Sequence, residues 1–228
     1  MVVPGAYGAL VNRDLLRARL SAPIPPPIGV MGPARAVADP PSFGAALASS
    51  DGVDLADGPL VPAAVLISLV LGSTPGVLLT KRTAHLNKHA GQVSFPGGRI
   101  DPEDLSAEDA ALREAEEEVG LGRHHVELLG RLGDYVTGTG YRVIPVLGLL
   151  PDGAELGDLG LIPSPHEVEA VFSLPLSVVL DPAAPERRRS HFRGAWREFW
   201  VWPHPDHYIW GATAAMLVHL AHRLRTES

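Results

Sequence analysis

The chain has 228 residues, enough for one domain with extensions or at most two small ones. Its formal charge of −7 argues against a surface built for nucleic acid phosphates or anionic membranes, and its 46% hydrophobic content is sufficient for a full core. The complete absence of cysteine excludes disulfides, thiolate metal sites and a Cys nucleophile, and is compatible with a reducing cytoplasm.

Near the N-terminus, the pattern from Arg13 to Leu20 predicts an amphipathic helix. Ser21 to Ser42 is rich in Pro, Gly and Ala, including Pro25-Pro26-Pro27 and Pro40-Pro41. Such a run forms neither regular helix nor central strand, so it reads as an extended segment on the domain or a linker. Residues 1–55 are therefore expected to be a helix plus Pro-rich extension, and 56–228 the domain proper.

Val61 to Leu71 reads as a buried strand. It is far short of a membrane span, and the N-terminus lacks a signal-peptide pattern. The tail Arg225-Thr226-Glu227-Ser228 is not a peroxisomal address, which leaves a cytoplasmic location as the expectation. Ser73 to Gly76 is a turn, and Val77 to Lys81 a second strand. Further strands are expected at Val126 to Leu132 and Val143 to Leu150, with a mobile Gly138-Thr139-Gly140 turn between them. Glu167 to Phe172 approaches strand alternation, and a short helix is expected to begin at Pro175-Leu176. Phe199 to Trp202 reads as an aromatic strand, and Tyr208 to Arg225 as the last helix. Strands on both sides of a central helix, with a terminal helix, predict an α/β fold, an α/β/α sandwich around a mixed sheet.

The central helix follows a Gly- and Asp-rich loop. Ser106 is its N-cap, Asp109 approximates a capping box, and Gly120 supplies the stop. Leu112, Ala115 and Val119 form an apolar stripe suited to lie on a sheet. Glu114, Glu117 and Glu118 then fall on a different face at i, i+3 and i+4, where like charges are mutually unfavourable. A cation resolves that conflict. All-oxygen, carboxylate-rich ligation suits Mg²⁺ or Mn²⁺, and Mg²⁺ commonly joins carboxylates to substrate phosphates. Glu114 and Glu118 are the first choice of ligands, with Glu117 sharing or assisting, and Arg113 can pair with a carboxylate and hold it. A solvated acidic face is the alternative reading of such a run.

Gly97 to Leu121 resembles the Nudix box, G-x5-E-x7-R-E-U-x-E-E-x-G-U with U a bulky apolar residue. Arg113 to Leu121 matches its second half, with the small Ala115 at the first U. Asp104 stands where the first Glu belongs, and the spacer to Arg113 is eight residues rather than seven. Upstream, Leu78 to Gly98 is similar to the motif L-L-T-x-R-x-x-x-L-x-x-H-x-G-Q-x-x-F-P-G-G of the coenzyme A pyrophosphatases, a subfamily that tends to carry the longer spacer with Asp in front. A basic residue is common in that motif where Asn87 stands, with Lys88 next to it.

The resemblance implies a Nudix fold and metal-dependent hydrolysis of the diphosphate of coenzyme A, giving 4′-phosphopantetheine and adenosine 3′,5′-bisphosphate. It implies a Gly98 carbonyl ligand to the metal. Through the E-V-x-x-V-F pattern it also implies Glu167 as a later ligand or base, against the alternative of an exposed strand-end carboxylate. It suggests phosphate or substrate contacts from Lys81, Arg82, His89 and Gln92. Arg187-Arg188-Arg189 fits either a 3′-phosphate contact or an exposed loop. His204-Pro205-Asp206-His207 reads as a rigid turn rather than a metal site, and Tyr141 is a candidate pocket wall. The alternatives are a Nudix hydrolase of another nucleoside diphosphate derivative, such as ADP-ribose, or a Nudix module that binds a nucleotide without cutting it. No G-x-S-x-G elbow is present, and no G-x-G-x-x-G follows a predicted strand. The expected partner is a small molecule, coenzyme A or a related nucleotide, without nucleic acid or membrane; a homodimer is compatible with the sequence.

Overall fold

The computed structural model describes residues 12–21, 47–48, 59–84, 91–192 and 195–225. The Pro-rich segment from residue 22 onward and the candidate His89 lie outside the described residues.

Helix α1 spans Arg13–Leu20, capped by the Asn12 side chain, which accepts from the Asp14 and Leu15 amides. Strand β1 is Leu47–Ala48, and β2 is Val61–Leu71. Successive β2 side chains enter different cores. Ala64, Leu66 and Val70 pack on one face of the sheet, Ala63, Ile67 and Leu69 on the other, as expected for a strand covered on both faces. Strand β3 (Gly76–Arg82) runs antiparallel to β2, paired at Leu69–Val77 and Val70–Gly76. Beyond that pairing the two strands part. Strand β4 (Val93–Ser94) pairs with β3, and β5 (Gly97–Arg99) pairs with Ala63 to Val65 of β2.

Helix α2 covers Ala107–Val119. Its buried side is Ala107, Ala110, Ala111, Ala115, Glu118 and Val119, while Leu112 is only partly covered. The expected stripe is thus rotated by about one residue. Alanines bring the helix backbone close to the sheet, and that approach carries Glu118 into the interface. Ser106 caps the helix by accepting from the Asp109 amide at 3.1 Å, but Asp109 answers to the Leu105 amide rather than closing a reciprocal box. Gly120 ends the helix at φ 70°.

Strands β6 (Glu127–Arg131), β7 (Tyr135–Val136) and β8 (Tyr141–Asp152) follow, β8 running parallel to β2 from Val61–Tyr141 to Leu71–Asp152. Strand β9 (Val168–Pro175) pairs antiparallel with β3, and the short α3 is Leu176–Val179. Among the described residues the main sheet has the order β1-β7-β8-β2-β3-β4, with β5 beside β2, β6 beside β8 and β9 beside β3.

A second, antiparallel sheet follows: β10 (Glu186–Phe192), β11 (Ala195–Trp202) and β12 (Ile209–Trp210). The three arginines are therefore in strand, not in a loop. Helix α4 begins at Gly211 (φ 61°) and runs to Arg225, so Tyr208 to Trp210, expected as helix, are not part of it. Trp202 is fully buried and donates from Nε1 to the Ala214 carbonyl at 2.9 Å, tying β11 to α4.

Helix α2 covers one face of the main sheet, and α1, α3 and α4 cover the other. Leu16 and Leu20 of α1 sit in the same core as α4. Arg13 and Arg17 both grip Glu127 on β6, at 2.6 and 2.7 Å, and Arg223 donates to the Arg19 and Leu20 carbonyls. No helix among the described residues is long and apolar enough to cross a membrane.

Two ion-paired glutamates set an acid limit on stability. Arg131, bonded twice at 2.6 Å, holds Glu108 down to about 2, and Arg17 followed by Arg13 does the same for Glu127. An unfolded Glu titrates near 4.5, so this stabilisation is complete above that value and is lost as pH falls toward about 2. Glu108→Gln is expected to cost about 1–2 kcal/mol at pH 6 after allowance for solvent screening, with the gap closing by pH 2. Urea unfolding at the two pH values measures it; a gap unchanged at pH 2 contradicts the ion-pair account.

Candidate active site

The site forms where β5 crosses the end of α2. Gly97 adopts φ 156° and its amide donates to Glu118 Oε2 at 3.2 Å. A Cβ at Gly97 would strike the Ala64 carbonyl, a backbone atom that cannot move aside. At Gly98 the nearest atoms an added Cβ meets are those of the Glu114 carboxylate, the far end of a flexible side chain. Gly97→Ala is therefore expected to damage the fold. Gly98→Ala is expected to keep its melting temperature within a few degrees while activity falls at least about tenfold through displacement of Glu114. Equal loss of stability in both variants would contradict this distinction.

Arg113 is the hub of the loop. Its guanidinium makes two 2.9 Å bonds to Asp104, one at 2.9 Å to Glu114, one at 3.3 Å to Glu117 and one at 3.1 Å to the Arg99 carbonyl. The Asp104 carboxylate is only 3% exposed, and its pKa is lowered first by the Arg113 bonds. Asp104 thus anchors Arg113 from the position where the box pattern has Glu.

Glu118 is the group under greatest electrostatic stress. Its side chain is 4% exposed, and burial pushes its pKa up to about 7. The Gly97 amide and Arg82 oppose that shift, whereas Glu114 and Glu167 add to it. Burial likewise raises Glu114, against the pull of Arg113. Glu117 is far more open, with 60% of its side chain exposed.

Glu167 lies in the exposed turn before β9. That turn is stitched to the end of α2 by Ile162 N–H to the Val119 carbonyl and Ser164 N–H to the Glu118 carbonyl, at 2.9 and 2.8 Å. Glu167 consequently sits within electrostatic reach of both Glu114 and Glu118.

The strand pleat separates two neighbours that the sequence groups together. Arg82 pairs across β9 with Val168 on the α2 face and bonds Glu118 at 3.1 Å. Lys81 pairs with Ala170, two positions along from the Leu79–Phe172 pair on the opposite face, and bonds Glu169 at 2.7 Å. Arg82 joins the cluster; Lys81 does not. Gln92 accepts the Arg82 amide at its backbone carbonyl, at 2.9 Å. Arg187 and Arg189 pair with Glu198 on one face of β10, while Arg188 pairs with Glu186 on the other. His204 Nδ1 accepts the Asp206 amide at 3.1 Å, consistent with a rigid turn. Tyr141 receives a 3.1 Å bond from Arg99 beside the loop.

The donor set suits a divalent cation. Hard carboxylate oxygens of Glu114 and Glu118 are crowded on a partly desolvated surface, and charge on Glu118 is disfavoured until a cation compensates it. Among the described residues no three acidic or histidine groups already close on one point. Arg113 bridges Glu114 and Glu117 instead, and Arg82 pairs with Glu118. Sequence reasoning missed the anchoring by Asp104 and the Gly97 amide bond. The Asp in a box position and the adjacent glycines were the available signals.

Comparison with known proteins yields a consistent family. The profile described as NUDIX domain matches residues 60–195. The uncharacterized Nudix hydrolase NudL of Escherichia coli (strain K12) is 44% identical over 159 residues, covering 70% of this chain and 80% of that protein. Its counterpart in Shigella boydii is 43% identical over the same coverage. Among solved structures, the Nudix hydrolase RenU from M. smegmatis is 19% identical with TM-score 0.44, covering 58% of this chain and 81% of that one. The MutT protein from Methanosarcina mazei Go1 is 20% identical with TM-score 0.42, covering 54% and 83%.

Proposed function

The chain belongs to the Nudix family and is a pyrophosphatase, and from that premise we propose that it hydrolyses coenzyme A, or a derivative, to 4′-phosphopantetheine and adenosine 3′,5′-bisphosphate with Mg²⁺ or Mn²⁺. The observation that carries the hydrolytic part is the nearly sealed Glu118 carboxyl between Glu114 and Glu167. Support for the substrate comes from the run Leu78 to Gly98, and in particular Arg82, the one residue of its Lys81-Arg82 pair that reaches the carboxylates. The lack of cysteine agrees with action in the cytoplasm.

Glu114 and Glu118 would hold the cation, with the Gly98 carbonyl and Glu117 completing its protein ligands. A bound divalent cation supplies charge neutralisation on the phosphoryl oxygens and lowers the pKa of water. The protein's own groups do the rest. Arg113, locked by Asp104, sets the height of Glu114 and Glu117 over the loop. The Gly97 amide fixes one oxygen of Glu118, and Arg82, now on the other, is placed to turn toward a substrate phosphate. Exposed Glu167 accepts the proton of the attacking water at its carboxylate.

The test is incubation with coenzyme A or ADP-ribose, each with and without Mg²⁺ or Mn²⁺, followed by chromatography of products. Cation-dependent appearance of 4′-phosphopantetheine and adenosine 3′,5′-bisphosphate is expected. Preferential cleavage of ADP-ribose overturns the substrate assignment.

A further inference from the structure

On the sheet face opposite α2, β10, β11 and the turn at residues 203–208 line an open hollow of about 360 Å³, whose lining includes Arg188, Trp202, His204, His207 and Tyr208. None of its lining residues belongs to the carboxylate site. One wall is a pair of rings, His207 and His204, 4.8 Å apart between centroids, with His207 stacked at 3.9 Å on Phe172. Burial, followed by His204, lowers the His207 pKa, so that ring is neutral at pH 7 and behaves as an aromatic surface. Because His204 Nδ1 accepts the Asp206 amide, its Nε2 is the donor.

The other wall carries charge. Arg188 lies 5.8 Å from the centre of the half-exposed Tyr208 ring, bonded to Glu186 at 2.8 and 3.1 Å. Of the three consecutive arginines, strand alternation turns only Arg188 to this side. Arg187 and Arg189 lie over Trp200 and Trp196 on the opposite face and share Glu198. Behind the cavity, Phe172, which stacks on His207, pairs with Leu79 of β3, the strand that carries Arg82. Lys81 of β3 acts electrostatically on His207, and the next residue, Arg82, bonds Glu118 through the other face.

We infer that this cavity receives the adenosine 3′-phosphate end of the substrate, the base extending the His204–His207–Phe172 stack and Arg188 pairing with the 3′-phosphate in exchange for Glu186. The inference rests on the coenzyme A reading. In that substrate the adenosine is joined directly to the diphosphate, and the base and the diphosphate would lie on either side of the β3 end that carries Lys81 and Arg82. Ring stacking gives affinity for the base, and a guanidinium gives discrimination between a phosphate and a hydroxyl.

Calorimetric titration of the full chain with adenosine 3′,5′-bisphosphate and with adenosine 5′-monophosphate tests this without turnover. The bisphosphate is expected to bind about tenfold or more tightly than the monophosphate. Arg188→Ala should remove that advantage and leave monophosphate binding intact, His204→Ala should weaken both ligands, and Arg189→Ala should change neither. Circular dichroism of each variant guards against misfolding. Equal loss in Arg188→Ala and Arg189→Ala, or no preference in the unaltered protein, overturns the subsite. An Arg188-dependent preference in a protein that leaves coenzyme A intact overturns the substrate reading and keeps the subsite. Cleavage of coenzyme A with an Arg188→Ala variant whose bisphosphate affinity is unchanged does the reverse.

Discussion

Glu118→Gln is expected to lower turnover on the order of a thousandfold or more while raising the melting temperature of the cation-free protein at pH 8. The two effects have one cause. The carboxylate is sealed under the Gly97 amide and Arg82 with Glu114 and Glu167 nearby, and burial raises its pKa to about 7. An acid whose folded pKa lies above its unfolded value near 4.5 binds its proton more tightly in the folded state. Its ionisation therefore costs nothing below about 4.5, erodes stability as pH rises toward 7, and costs the full amount above that. Gln carries no charge but keeps a single acceptor oxygen, enough for the Gly97 amide and not also for Arg82, so the net relief at pH 8 is on the order of 1–2 kcal/mol, or about 3 °C for a chain of this size. Melting curves in EDTA from pH 5 to 8 should diverge steadily, the variant on top. Curves that stay parallel, or a variant that melts lower throughout, contradict the burial argument. Near-normal turnover contradicts the ligand assignment.

Arg113→Ala is expected to destabilise the fold by about 3 kcal/mol or more. It strips two 2.9 Å bonds from an Asp104 carboxylate that is 3% exposed, leaving a buried charge with no counter-ion and only the Asp101 amide, at 2.8 Å, to compensate it. It also frees Glu114, Glu117 and the Arg99 carbonyl. Lys in place of Arg is expected to recover only part of the loss, because one ammonium cannot span Asp104 in two places. A double-mutant cycle with Asp104→Asn, followed by urea unfolding, should return a coupling of about 2 kcal/mol or more. Additive losses would place Arg113 outside the loop's support and leave its role at Glu114 alone.

Much of this was legible in the chain. Local signals set α1 at Arg13–Leu20, β2 at Val61–Leu71 and the Ser106 and Gly120 caps of α2, because each rests on nearest-neighbour chemistry. The carboxylates, the flanking glycines and Arg113 were legible for the same reason. The acidic spacing suits a cation, and the residues around it match one family.

What escaped was decided by packing over distance. Periodicity put Leu112 in the buried stripe and Glu118 outside it, yet the alanines set the helix so close to the sheet that Glu118 is inside. Lys81 and Arg82 are adjacent in sequence and opposed in space, because the pleat of β3 sends them to different faces. Gly97 to Arg99 looked like loop, and becomes strand because β2 and β3 part to admit it. Arg187 to Arg189 lacks any apolar alternation, so its pairing with the aromatic β11 had no local signal. Tyr208 to Trp210 was read as helix, but its register with Val201 and Trp202 and the left-handed Gly211 delay the helix start.

The most direct test of the central claim is the affinity of the acidic helix for a divalent cation, read from the electron paramagnetic resonance signal of free Mn²⁺ as protein is titrated in. The account predicts saturable binding by the unaltered chain, weakened at least about tenfold by Glu118→Gln and little affected by Glu169→Gln, whose carboxylate lies with Lys81 on the far side of the sheet. Equal binding by all three proteins would contradict it.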